Sequence, residues 1–186
     1  MKQPAAILDA NVLFSAPARD LLLQLAYGGV FRAHWSADID DEWKRNLAAR
    51  RPDLASRLDL TQARMRRAIP DALVTNYAPL IPNLVLPDPG DRHVLAAAIV
   101  AKADVIVTYN LTDFPAAALA PNGIEAQHPD AFLKFLADTK PSEFLTGVRT
   151  CFGRLTRPPI AVPTFLKNLR AIGLTETAAF LDGKLP

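Results

Sequence analysis

The run DVIVT at 104–108 constrains this chain more than any other segment, because four of its five residues are β-branched and its interior carries no polar residue. A strand without alternation of apolar and polar residues has neither face in water. Such strands belong in parallel sheets covered by helices on both sides. The preceding segment fits that arrangement, since Val94, Leu95, Ala98 and Ile99 recur at helical spacing and form a buried stripe. A buried helix feeding a buried strand predicts an α/β fold.

The rest of the first two thirds repeats the pattern. AAIL at 5–8 reads as a strand ending in Asp9, and a helix follows with Pro17 near its start and Gly28-Gly29 at its end. VFRAHW at 30–35 reads as a second strand, with Ser36 as N-cap of a helix that turns Ile39, Trp43 and Leu47 inward. In this reading Asp38, Asp40 and Asp41 are surface acids that complement the helix dipole. Residues 53–69 predict a further helix that Pro70 ends, and NLVLP at 83–87 predicts a short strand. Beyond 108, a short helix at about 116–120 and a strand at 124–126 complete the sheet. From Pro129 four amphipathic helical segments follow one another, which divides the chain into a domain at 1–128 and a helical extension at 129–186. Packing or an oligomer contact accounts for that extension without assigning it a site.

Composition excludes some classes. The apolar run at 94–101 is far shorter than the roughly 20 residues of a membrane span, so no membrane association is expected. The first residues lack the apolar core of a secretory signal, and the single cysteine, Cys151, can form neither an internal disulfide nor a thiolate metal cluster. A cytoplasmic location is expected. The formal charge is only +2, but residues 44–67 hold eight basic side chains against Asp53 and Asp59. Such a run is either a solvated helix face or a surface for a polyanion, and acidic chemistry nearby favours the second.

That acidic chemistry has a pattern. Asp9 follows the first strand, Asn110 and Asp113 follow the strand at 104–108, and Asp91 opens the helix before it. In a parallel sheet, strand carboxyl ends and helix N-termini share one edge, where α/β folds bind their ligands. Glu42 reaches the same edge from the second helix. Carboxylates gathered in this way repel one another unless cations intervene, and an oxygen-only donor set favours Mg²⁺ or Mn²⁺ over Zn²⁺. Each acid also has a purely local explanation: Asp88 caps a helix that begins at Pro89, Asp91 complements the dipole, Asp113 caps a short helix, and Asn110 turns the chain. His93 reads as a helix-face residue without His or Cys partners.

Three segments in order, ILDANVLFS, SADIDDEWKRNL and LPDPGDRHVLAAAIVAKADVIVTYNLTDFP, resemble the PIN domain family over roughly residues 5–128. Members of that family are metal-dependent ribonucleases and include the VapC toxins of bacterial toxin–antitoxin pairs. The resemblance implies a three-layer α/β/α sandwich, with Asp9, Glu42, Asp91 and Asp113 as catalytic residues that also bind Mg²⁺ or Mn²⁺, and Asn11 and Asn110 as supporting groups. The extension resembles that of one branch of these toxins. Ala10 stands where the family often carries a hydroxyl residue, which predicts that Asp9 lacks a hydroxyl hydrogen bond.

The function expected is therefore an endoribonuclease toxin, with Lys44, Arg45, Arg50 and Arg51 holding the RNA backbone. Its implied partners are RNA, a cognate antitoxin protein and a second copy in a homodimer. A noncatalytic module that binds RNA or a protein partner is the alternative. A phosphoacceptor domain is disfavoured, because no acidic pair precedes the first acid's strand end and no lysine follows the last strand as that chemistry requires.

Overall fold

A computed structural model describes residues 3–156 and 158–185. Five parallel strands, β1 (Ala5–Leu8), β2 (Arg32–Ser36), β3 (Leu73–Val74), β4 (Val105–Val107) and β5 (Glu125–Gln127), form one sheet in the order β3-β2-β1-β4-β5. Every residue of the central strands β1 and β4 is buried, which is why neither alternates in polarity. The helices of the first part are α1 (Ala10–Phe14), α2 (Ala16–Tyr27), α3 (Ala37–Arg50), α4 (Ala55–Ala68), α5 (Arg92–Ala101) and α6 (Ala116–Leu119). With the helices on both faces of the sheet, the architecture is the expected α/β/α sandwich with a helical extension.

The strand order reverses direction at β1, whose neighbours are β2 and β4. That reversal opens a crevice beyond the carboxyl ends of β1 and β4. Local chemistry turns the chain sharply there. Asp9 caps α1, its carboxylate accepting from the Ala10 amide, and Ser36 caps α3 by accepting from the Ile39 amide at 3.2 Å. Large apolar side chains lock these starts in place. Trp35, Ile39 and Trp43 are fully buried, and each such side chain stabilises the fold by about 1.5–3 kcal/mol or more.

Two expectations are corrected. Residues 83–87 form no strand: a 3-10 segment over Ala78–Asn83 with Pro82 inside it leads into an irregular stretch where Val85 is 79% exposed. Prolines at 79, 82, 87 and 89 remove ladder donors from the region, and the third strand is Leu73–Val74, paired with Trp35 and Ser36. Asp40 is not a surface acid but is wholly buried, accepting from Trp43 Nε1 at 3.0 Å and from Arg66 Nε and Nη2 at 3.0 and 2.9 Å. Dipole complementarity described its position in sequence, whereas α4 packing over α3 decided its surroundings.

The extension comprises α7 (Pro129–Thr139), α8 (Pro141–Gly153), α9 (Val162–Ala171) and α10 (Thr175–Leu181), and its core is continuous with that of the sandwich. Phe132 meets Phe31 edge-on at 5.0 Å, and Lys140 donates to the Val30 carbonyl at 3.0 Å. Gly147 brings α8 close to α2, since a Cβ there would stand 2.8 Å from Leu25 Cδ2. Buried Asp130 accepts from the Glu176 and Thr177 amides and the Thr177 hydroxyl, pinning the start of α10 to α7. No helix among the described residues is long and apolar enough to cross a membrane.

Candidate metal centre at the carboxyl edge of the sheet

The carboxylates gather in two groups. Asp88, Asp91 and Asp113 can each turn a carboxylate oxygen to within 4.8 Å of the others. Asp88 and Asp91 flank a 3-10 turn, Pro89–Asp91, that runs directly into α5, and Asp113 ends the turn after β4. Asp88 caps its turn as expected, accepting from the Gly90 amide at 2.7 Å through Oδ1. A capping carboxylate has a second oxygen, however, so the cap and a place in the cluster are compatible. Asn110 donates to Asp113 Oδ2 and accepts from the Thr112 hydroxyl at 2.8 Å.

Asp9 and Glu42 stand beside this trio rather than within it. Asp9 is only 4% exposed, and three donors hold it: the Ala10 amide at 2.6 Å, Asn11 Nδ2 at 2.7 Å and the Thr108 hydroxyl at 2.7 Å. The hydroxyl expected to be missing because of Ala10 thus comes from the end of β4. Asn11 ties the same network together, donating to Thr108 Oγ1 at 2.9 Å and accepting from the Tyr109 amide at 3.1 Å. Glu42 faces His93 across 3.4 Å, linking α3 to the first turn of α5.

Electrostatics joins the two groups into one site. Burial, with added repulsion from Glu42, pushes the Asp9 carboxyl up to about 6 despite its hydrogen bonds. Asp91 is pushed up to about 7, first by desolvation and then by the charges of Asp9, Asp113, Asp88 and Glu42. Burial works against the charged form of His93, but the hydrogen bond and charge of Glu42 outweigh it and raise its pKa. The four charges that act on Asp91 most strongly are all negative. An all-oxygen cluster with this uncompensated charge fits a hard divalent cation, with Asp88, Asp91 and Asp113 able to hold it and Asp9 and Glu42 alongside.

The basic run divides less favourably. Lys44 is tied to Asp59 at 3.1 Å and Gln62 at 3.0 Å, Arg51 forms a forked pair with Asp53, and Arg66 serves Asp40. Arg50 lies over the Phe14 ring at 5.5 Å, and Arg45 is exposed. Of the four cations expected to hold RNA, two are therefore already partnered.

Sequence reasoning gave Asp88 only a cap and assigned no site role to Thr108 or His93. The signal for Thr108 was its position as the residue that ends a buried strand at the ligand-binding edge. His93 gave no signal, because its partner Glu42 lies on another helix.

The family described as PIN domain matches residues 5–112, and the family described as VapC50 C-terminal domain matches residues 129–183. A curated protein of Mycobacterium tuberculosis named "Putative ribonuclease VapC50" is 63% identical over 43 residues, or 23% of this chain. The aligned stretch spans 25% of that relative's own length. No solved structure matches the chain.

Proposed function

The chain belongs to the PIN domain family, matched over residues 5–112, and from that premise we propose that it is a metal-dependent endoribonuclease acting as the toxin of a type II toxin–antitoxin pair. The observation that carries the reading is the convergence of Asp88, Asp91 and Asp113 within 4.8 Å at the crevice where the strand order reverses. The ribonuclease name of the relative and the match of the extension to the VapC50 C-terminal domain support it further.

Mg²⁺ or Mn²⁺ held there would supply Lewis-acid polarisation of a phosphodiester and a more acidic water. The chain's own groups prepare the site. Asp91, Asp88 and Asp113 supply oxygen donors, and Asn110 orients Asp113. Asp9 is fixed by Thr108, Asn11 and its own helix start, so little reorganisation is needed when a cation approaches. Glu42 faces His93 and can turn toward a cation only by giving up that contact. Hydrolysis joins a water oxygen to phosphorus, breaks one phosphorus–oxygen bond and moves a proton to the departing oxygen.

In this reading residues 1–128 are the nuclease domain and 129–186 its extension. The partners are RNA, an antitoxin protein that blocks the crevice, and a second copy in a homodimer. The test is cleavage of mixed RNA by purified protein with Mn²⁺, Mg²⁺ or EDTA, together with Asp91→Asn. Cleavage that needs the metal and is lost in the variant supports the proposal. RNA binding without cleavage under every metal condition identifies a noncatalytic module instead.

A further inference from the structure

A groove of about 800 Å³ leads away from the carboxylate edge between α1, α3 and α4. It starts at Asn11 and Tyr109, residues of the Asp9 network, and continues past Phe14 to Arg50 and Arg57. Four arginines line it and no carboxylate does; Arg19 and Arg51 are paired with Asp20 and Asp53 outside the lining, which leaves Arg50 and Arg57 as its cations. All but one of its lining residues precede residue 110; the exception is Ile172, which follows α9 in the extension.

The extension also comes close to Tyr109. Gly173 has φ of +84°, and a Cβ there would stand 3.6 Å from His128 Cε1 and 3.8 Å from Tyr109 Cε1. A side chain at that turn would be strained by the positive φ, and its Cβ would lie in van der Waals contact with both rings. The Tyr109 ring meets His128 edge-on at 5.0 Å, while its buried hydroxyl has no hydrogen-bond partner among the described residues. Edge-on packing against His128, rather than a hydroxyl bond, therefore holds the ring.

We propose that the extension completes a nucleotide groove, in which Ile172 with Tyr109 and Phe14 holds an unstacked base of single-stranded RNA while Arg50 and Arg57 hold its phosphates. The inference rests on the nuclease reading and adds to it a role for the extension. Charge selects the occupant: the groove is cationic and its mouth is acidic, so an acidic peptide is repelled at the carboxylates, whereas a phosphodiester can share their cation. The apolar wall selects a single strand, because a duplex buries its bases and offers only sugar and phosphate to such a surface.

The test uses the full chain with Ile172→Glu and Ile172→Ala. Two substrates are compared in Mn²⁺, an oligouridylate and bis(p-nitrophenyl) phosphate, which has no base. Ile172→Glu raises KM for the oligouridylate on the order of tenfold, Ile172→Ala raises it less, and hydrolysis of the small diester stays unchanged in both. An unchanged KM for the oligouridylate assigns the groove to another occupant and overturns the proposal, as does an equal loss on both substrates. If the unsubstituted protein cleaves neither substrate, the nuclease reading fails and the groove is read by fluorescence anisotropy of labelled oligouridylate in Ca²⁺. Weaker binding by Ile172→Glu then upholds the groove, and equal binding overturns it.

Discussion

The Thr108 hydroxyl donates to Asp9 Oδ2 at 2.7 Å, tying the end of β4 to the end of β1 across 99 residues of sequence. Both residues are buried, so neither can exchange this contact for water. Thr108→Val keeps the shape and removes the donor. It is expected to cost about 1–3 kcal/mol and to raise the Asp9 pKa further, lowering RNA cleavage at pH 6 more than at pH 8. Chemical denaturation and a pH–rate profile check this; equal loss at both pH values would show that Thr108 acts on stability alone.

Asp91 binds its proton more tightly in the folded chain, at about 7, than at its ordinary value of 3.8, and Asp9 is shifted the same way, to about 6. Between those limits the folded form holds more protons than the unfolded form, so stability declines with rising pH. The metal-free protein is therefore most favoured by these groups below pH 3.8 and loses that contribution as pH rises through about 7. Thermal melts in EDTA at pH 5 and pH 8 measure it. Asp91→Asn flattens the difference, and added Mn²⁺ restores stability at the higher pH.

Asp88 combines a cap with a cluster position, and Asp88→Asn separates the two. Asparagine caps as well as aspartate, so the Gly90 contact and the melting temperature are retained. The charge is lost, and Mn²⁺ affinity measured by calorimetry is expected to fall on the order of tenfold. Undiminished affinity would leave Asp88 as a cap alone.

Arg66 belongs to the basic run but compensates buried Asp40 through two of its nitrogens. Arg66→Ala leaves that carboxylate unpaired in the interior and is expected to destabilise the fold by roughly 2–4 kcal/mol, whereas Arg45→Ala at an exposed position is nearly neutral. Urea denaturation of the pair distinguishes a structural arginine from a solvated one, which charge counting cannot do.

Much of this protein is legible from its sequence, because local rules act on neighbours. Buried strands without alternation, Ser36 as a cap, Pro and Gly at helix boundaries, and acids immediately after strands identify the α/β class and bring Asp9, Asp91 and Asp113 to one edge. What the sequence leaves undecided depends on which helix lies over which. Asp40 became a buried partner of Arg66 because α4 covers α3, and Thr108 and His93 acquired Asp9 and Glu42 from segments remote along the chain. Pairing and desolvation are properties of the space around a side chain, and only the packed tertiary structure fixes that space.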